Sequence, residues 1–276
     1  MDLGLKDVHV LITGASGGIG LATAKEYLAQ GAKITAHYNT NNKTLAPLLE
    51  AHADALHTVQ ADVSQEDAVA RLFTEASARF GPVQIVIVNH GISPEPETLV
   101  ADMSLERWRR TLTVNLDAVF LVTREYLRGL RVASDEAKAK AAIVLIGSTS
   151  GKYGIAGKAD YAATKSAMMY GLTLTLKNEI VKIAPLGRVN CIAPGWVWTP
   201  MAEVLKEQPE KMFRALATVP LKKIATAEDV ANQIVISSSA RVSGHVSGQV
   251  IMVEGGMEGR LLNLPEDIAK EQAGAN

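Results

Sequence analysis

The stretch Thr13-Gly14-Ala15-Ser16-Gly17-Gly18-Ile19-Gly20 joins an apolar run, Val8 to Ile12, to a helical pattern that reaches Gln30. A strand that turns through glycines into a helix is suited to holding a phosphate. The glycine backbone admits close approach, and the helix N-terminus offers N–H groups and positive partial charge. The spacing narrows the choice. Glycines at 14, 18 and 20 read G-x-x-x-G-x-G, not the common dinucleotide pattern G-x-G-x-x-G, and no Lys-Ser or Lys-Thr pair follows Gly20 as in a nucleoside-triphosphate loop. Taken alone the stretch also suits a plain Gly-rich turn, so the rest of the chain decides.

Working outward, short apolar runs alternate with helical patterns. The runs are Val8–Ile12, Lys33–His37, Leu56–Gln60, Ile85–Val88, Ala142–Ile146, Arg188–Ile192 and Gln249–Val253. Several are apolar without alternation, as in parallel strands covered on both faces. Ser64-Gln65-Glu66-Asp67 and Thr226-Ala227-Glu228-Asp229 read as capping boxes, Gly31 as a helix stop, and Pro185 with Gly187 as another. Strand–helix alternation predicts an α/β fold: one Rossmann-type doubly wound domain, a seven-stranded mostly parallel sheet with helices on both faces, and the ligand site at the strands' carboxyl ends. No linker or repeat divides residues 1–276, whose core is expected over about 6–256. Three segments interrupt the alternation. Gly91 to Ser104 is a loop rich in proline and acid. Arg131 to Lys140 reads as an exposed helix extension. Residues 196–220 suit either a substrate lid or an ordinary amphipathic helix, and a polar tail occupies 258–276.

The 276 residues are 47% hydrophobic with formal net charge −1, which gives nucleic acid no basic surface to bind. No apolar run is long enough to cross a bilayer, and the N-terminus lacks a signal-peptide layout. The single cysteine, Cys191, lies in an apolar run and reads as a buried thiol. These features predict a soluble cytoplasmic protein without membrane or nucleic-acid partners. The six histidines are scattered, so no metal site is expected.

Two further clusters carry chemistry. After the second strand the sequence reads Tyr38-Asn39-Thr40-Asn41-Asn42-Lys43, with no carboxylate to bond the ribose 2′-hydroxyl of NAD. Neutral donors and Lys43 favour the 2′-phosphate of NADP, although Asn and Thr are also ordinary turn residues. The second cluster is Ser148, after the fifth strand, with Tyr161 and Lys165 four apart at the start of a helical pattern reaching Ile183. That spacing puts both side chains on one face. A phenol has a pKa of about 10, and a nearby ammonium lowers it. Tyr161 could then exchange a proton with a carbonyl or alcohol oxygen that the Ser148 hydroxyl polarises. His90 follows the fourth strand and reads as a packing residue. A hydrolase elbow is absent, because Thr149 stands at the centre of Gly147-Ser148-Thr149-Ser150-Gly151.

In order along the chain, these motifs resemble the classical short-chain dehydrogenase/reductase family from about Lys6 to Gly256. Thr13-Gly14-x-x-x-Gly18-Ile19-Gly20 is similar to its cofactor turn. Asp62-Val63 stands at its adenine contact, Asn89-His90-Gly91 at its Asn-Asn-Ala-Gly, and Asn115 at its helix asparagine. Ser148, Tyr161 and Lys165 match its serine and Y-x-x-x-K, and Pro194-Gly195-Trp196-Val197-Trp198-Thr199 its nicotinamide-end loop. Val88 and His90 depart from the pattern, replacing its first Asn and its Ala.

The resemblance implies a catalytic set of Asn115, Ser148, Tyr161 and Lys165. It implies cofactor contacts at Gly14, Ser16, Gly17, Gly18, Ile19 and Gly20, at Tyr38, Asn39, Thr40 and Asn41, and at Asp62, Val63, Asn89 and Gly91. Tyr161, Lys165, Pro194, Gly195, Val197 and Thr199 complete these contacts. In the implied roles Lys165 lowers the Tyr161 pKa and Asn115 supports a water chain. Ser148, Tyr153, Trp196, Trp198 and Met201 are expected to line a substrate pocket. The expected activity is NADP(H)-dependent reduction of a ketone to a secondary alcohol, or the reverse. The alternatives are an NAD-preferring alcohol dehydrogenase, a 3-oxoacyl-carrier-protein reductase-like enzyme, an isomerase or cyclase that keeps the same residues, and a silent cofactor-binding regulator. A homotetramer or homodimer is implied, paired through helices at Ser104–Arg128 and Asp160–Ile183.

Overall fold

The computed structural model describes residues 2–199, 209–261 and 263–266. The chain runs β1 (His9–Ile12), α1 (Gly18–Ala29), β2 (Lys33–Tyr38), α2 (Ala46–Ala51), β3 (Leu56–Gln60), α3 (Glu66–Phe80) and β4 (Ile85–Val88). It continues through α4 (Leu105–Leu112), a π-helical turn at Thr113–Asp117, α5 (Ala118–Val132), α6 (Asp135–Lys138), β5 (Ala142–Ile146), α7 (Thr149–Tyr153) and α8 (Ala159–Ser166). A second π-helical turn at Ala167–Leu172 leads into α9 (Thr173–Ile180), followed by β6 (Arg188–Pro194), α10 (Pro209–Leu216), α11 (Ala227–Ser238) and β7 (Val250–Val253). The strands form one sheet in the order β3-β2-β1-β4-β5-β6-β7, and every pairing is parallel.

Period-two alternation divides the core between the two faces. In β4, Ile85 and Ile87 face the cluster that includes Tyr27 and Leu28 of α1 and Ile234 of α11, whereas Val86 and Val88 face Leu72 of α3, Val122 of α5 and Ile180 of α9. Both faces are covered, which is why these strands read as unbroken apolar runs. The order reverses between β1 and β4, and the crevice at their carboxyl ends is where such sheets take ligands.

Buried polar groups knit the layers. The Tyr27 hydroxyl donates to Ser238 Oγ at 2.6 Å, tying α1 to α11. Arg188, at the start of β6, donates from Nη1 to the Ser237 and Ser243 carbonyls at 2.6 and 3.1 Å and from Nη2 to the Ser238 carbonyl at 2.6 Å. A cation there satisfies the orphan carbonyls at the end of α11 and complements its dipole.

Several local expectations change. Thr226 caps α11 in a full capping box, with Asp229 returning the bond. The box expected at Ser64 does not form. Asp62 Oδ1 accepts from both the N–H and the hydroxyl of Ser64, and Gln65 becomes the uncapped N-cap of α3. The segment Arg131–Lys140 is not one extension. α5 stops at Val132, and Ser134 restarts the chain as N-cap of the separate α6. The tail expected at 258–276 begins as packed structure, with Leu264 buried. Residues 267–276 lie outside the described residues, as do 200–208 of the expected lid.

Removing the Arg188 guanidinium leaves three buried carbonyls without their donor. Arg188→Ala is expected to lower unfolding free energy by about 3 kcal/mol, read as a lower urea midpoint, whereas Arg241→Ala on the exposed surface changes it by less than about 0.5 kcal/mol.

Candidate active site

The glycine turn between β1 and α1 is shaped by steric exclusion. Gly14 has φ +62°. A β-carbon on Gly20 would lie 2.3 Å from the Gly14 carbonyl oxygen and 2.9 Å from Ala15 Cα, so the turn closes only without a side chain. Asn89, just past β4, donates from Nδ2 to the Thr13 and Gly14 carbonyls at 3.1 and 3.0 Å. His37 accepts the Gly14 N–H at Nδ1 and donates from Nε2 to the Ala61 carbonyl at 2.9 Å. His90 Nδ1 lies 2.8 Å from Thr13 Oγ1. Burial pulls both imidazole pKa values down, that of His90 to about 3, with neighbouring His37 and Lys165 adding to the effect. Two neutral rings therefore brace the turn. α1 begins with Gly17 as N-cap, without a side-chain cap or an acidic residue in its first turn. The residues fit a dinucleotide pyrophosphate, which needs free N–H groups and no competing carboxylate.

The segment Asn39–Lys43 is exposed and Tyr38 half-buried. Gln60 holds the Asn39 carbonyl at 2.7 Å, and the Thr44 hydroxyl donates to the Ser16 carbonyl at 2.8 Å, keeping the segment beside the glycine turn. Asp62 is exposed and Val63 buried at the end of β3. On the other side, Pro194 ends β6, the Gly195 N–H donates to the Val253 carbonyl at 3.0 Å, and Val197 bridges to Ala225. Thr199 comes down on the turn: a β-carbon on Gly18 would lie 2.7 Å from its methyl.

The proton-transfer candidates meet at the carboxyl edge of β5. Ser148 caps α7, its Oγ accepting the Ser150 N–H at 3.1 Å. α8 packs tightly on that turn, where a β-carbon on Gly151 would lie 2.8 Å from the Lys165 and Ser166 backbone. Lys165 is buried. Its Nζ donates to the Ile146 carbonyl at 2.6 Å and stands 5.7 Å from the centre of the Tyr161 ring. Desolvation lowers the Lys165 pKa to about 8, still above neutral pH. Asn115 sits in the first π turn. Its Oδ1 accepts the Ile92 N–H and its Nδ2 donates to the Ile92 carbonyl, both at 2.8 Å, and Nδ2 also reaches Thr164 Oγ1 at 3.3 Å. A β-carbon on Gly91 would be 3.3 Å from Asn115 Oδ1 and 3.7 Å from Lys165 Nζ, which places Gly91 in the same group.

One expectation reverses. Burial raises the Tyr161 pKa, while the Ser148 hydroxyl and the Arg260 guanidinium pull it down by less. The phenol is therefore a held proton and not a ready phenolate. A buried pair behind it sets the helix entry. Arg107 Nε donates to Asp160 Oδ2 at 3.2 Å, and the Thr111 hydroxyl donates to the same oxygen at 2.8 Å. Burial pushes Asp160 up, but Thr111, Arg107 and the Tyr161 N–H outweigh it and keep its pKa below the ordinary value.

Trp196 and Trp198 pack with Met212, Leu216 and Ile224, forming a small core that seats α10, and Trp196 also lines a cavity with Val219, Leu221 and Ile251. Met201 lies outside the described residues. The Tyr153 hydroxyl is committed to the Met257 carbonyl at 2.7 Å. Arg260 was missed by sequence reasoning. Its Nη2 donates to Thr149 Oγ1 and Ser150 Oγ at 3.0 and 3.1 Å, and its Nε to the Gly154 carbonyl at 3.0 Å. The signal was its position just past β7, at the edge where the site lies. Among the described residues no acidic, histidine or cysteine cluster could hold a metal, and no helix is long and apolar enough to cross a membrane.

With this geometry in view, comparisons place the chain among known proteins. A family profile described as short chain dehydrogenase matches residues 8–210. The 3-oxoacyl-[acyl-carrier-protein] reductase MabA of Mycobacterium avium is 34% identical over 248 residues, 90% of this chain and 89% of that protein. The 3-oxoacyl-[acyl-carrier-protein] reductase of Synechocystis is 32% identical over 251 residues, 90% of this chain and 95% of that protein. A crystal structure from Brucella melitensis, described as a short-chain dehydrogenase/reductase of the glucose/ribitol dehydrogenase type, superposes with TM-score 0.80 at 30% identity, covering 93% of this chain and 98% of that one. The chain belongs to the short-chain dehydrogenase/reductase family of nicotinamide-dependent oxidoreductases.

Proposed function

We propose that the protein is an NADP(H)-dependent reductase of a ketone, with Tyr161 as proton donor. The observation that carries this reading is the convergence of Ser148, Tyr161 and Lys165 at the carboxyl edge of β5, beside a glycine turn that fits a pyrophosphate. When bound, the cofactor supplies the hydride that the carbonyl carbon accepts. Tyr161 releases its proton to the carbonyl oxygen as the C=O π bond breaks, giving a secondary alcohol and a transient phenolate. Lys165 and Arg260 offset that negative charge, and the Ser148 hydroxyl orients and polarises the oxygen. Asn115 positions the loop at Ile92 and the helix at Thr164, which fixes the site's depth. The names of the Mycobacterium avium and Synechocystis relatives support a β-ketoacyl thioester as one substrate class.

The acid-free segment Tyr38 to Asn41 supports NADP over NAD, because no carboxylate there repels a 2′-phosphate. Homo-oligomerisation through α5 and the α8–α9 rod is supported by exposed Phe120, Tyr170 and Leu174.

Three outcomes follow. Tyr161→Phe should lower kcat by about 10²–10⁴-fold while NADPH still binds by fluorescence; retained turnover would remove Tyr161 from the chemistry. Asn39→Asp should move the NADPH-to-NADH ratio of kcat/KM toward NADH by about tenfold, and an unmoved ratio would locate cofactor choice elsewhere. Light scattering at micromolar concentration should give the mass of a dimer or tetramer, and Phe120→Glu with Leu174→Glu should reduce it. A wild-type monomer would refute the assembly.

A further inference from the structure

We propose that Arg260 is a positioning residue for Ser148: its guanidinium clamps both ends of α7, the short helix that Ser148 caps, and so fixes where the Ser148 hydroxyl stands. The inference rests on the reductase reading above and adds to that site a component from beyond residue 210, where the family profile stops. α7 runs only from Thr149 to Tyr153. A helix of that length closes too few internal hydrogen bonds to hold itself in water. Its N-cap nevertheless carries the hydroxyl that orients the reacting oxygen in the proposed reaction, so contacts from outside the helix must keep it in place. Arg260 supplies them at both ends. At the N-terminal turn its Nη2 donates to Thr149 Oγ1 and Ser150 Oγ at 3.0 and 3.1 Å. At the other end its Nε donates to the carbonyl of Gly154, the C-cap, at 3.0 Å. The grip reaches Ser148 through one residue, because the Ser148 hydroxyl oxygen accepts the N–H of the same Ser150 at 3.1 Å.

A clamp works only if its own base is fixed. The chain that leaves β7 is pinned on two sides before it reaches Arg260. Toward α7, the Tyr153 hydroxyl donates to the Met257 carbonyl at 2.7 Å. Toward the segment after α10, the Leu221 N–H donates to the Gly255 carbonyl and the Thr218 hydroxyl to the Gly259 carbonyl, both at 3.2 Å. Gly255 has φ +68°, and a β-carbon there would lie 2.7 Å from Val219 Cγ1, so the two segments touch at backbone level. Among the described residues Arg260 has no carboxylate partner that would draw its fork away from the turn. Its charge also acts on Tyr161: the Ser148 hydroxyl and Arg260 both oppose the rise that burial imposes on the phenol pKa. Charge and clamp are separable. A lysine would keep the charge, but its single ammonium lacks the planar fork that meets two hydroxyls and a carbonyl at opposite ends of a helix.

The first test needs no substrate. Hydrogen exchange on the full-length protein, read by mass spectrometry, should run about tenfold faster over residues 149–154 in Arg260→Gln, with β5 unchanged. Thr149→Val combined with Ser150→Ala, which removes two acceptors and leaves the arginine, should do the same. Unchanged exchange at α7 in both variants overturns the proposal. The second test is kinetic, with the N-acetylcysteamine thioester of acetoacetate as the carbonyl compound. Arg260→Gln should lower kcat about tenfold and leave the KM for NADPH within about twofold. Arg260→Lys should recover less than half of that loss, and full recovery would reduce Arg260 to its charge and refute the clamp. In a Ser148→Ala background Arg260→Gln should cost only about threefold or less, because the hydroxyl it positions is gone. An undiminished tenfold loss there would show that Arg260 acts elsewhere. If the wild-type protein reduces no carbonyl compound, the reductase reading falls, and the exchange result alone decides the clamp.

Discussion

The bond from the Lys165 ammonium to the Ile146 carbonyl is the constraint from which the site is built. It ties the helix that carries Tyr161 to the end of β5, the strand that delivers Ser148. A buried lysine is costly unless its charge is met, and here one carbonyl meets part of it. The remainder is available to any negative charge forming nearby. The close fit at Gly151 brings α8 near enough for that bond, and Asp160 with Arg107 sets how α8 starts. Tyr161, the proposed proton donor, is thus placed by sheet, turn and helix entry together, with little left to loop flexibility.

The cofactor turn follows the opposite policy on charge. His37, His90 and Asn89 brace it through neutral hydrogen bonds, and burial holds both imidazoles neutral at physiological pH. A carboxylate brace would repel a pyrophosphate, and a charged imidazole would draw the phosphates away from the helix N-terminus. Neutral braces hold the backbone in shape and leave the field of α1 to act alone. His90 is informative because it replaces a small residue of the family pattern. The ring has turned inward to Thr13, serving the turn.

The legibility of each element tracks the range of the physics behind it. Strands such as Ile85–Val88 are buried on both faces, so a local apolar run suffices to find them, and all seven were visible. Tyr161 and Lys165 were paired by helical spacing, also a local rule. Ser64 illustrates where locality fails. Its sequence matches a capping box, yet Asp62 reaches its hydroxyl first, a competition no propensity encodes. The break at Ala133–Ser134 is similar, because Ser134 is a better cap than helix residue. Arg260 was invisible for another reason. Its partners lie more than 100 residues away, and only the topology brings them to the same edge. The two tryptophans also pack on Met212 and Ile224, partners that no local pattern names.

The balance of forces on Tyr161 suits the proposed direction of use, reduction. Burial raises its pKa, so the phenol holds its proton at neutral pH, which fits the proposed role of proton donor to a carbonyl. Burial alone would also make the phenolate left after transfer too unstable to form. Two cations stand within reach of it: Lys165 on the same helix, 5.7 Å from the ring centre, and Arg260, which arrives after β7. Neither has a carboxylate partner among the described residues, so neither charge is spent before the reaction. A site that stores uncompensated positive charge around a protonated acid has paid its electrostatic cost in folding. In the proposed reaction the charge that develops on the substrate and on Tyr161 then meets dipoles and cations already in place.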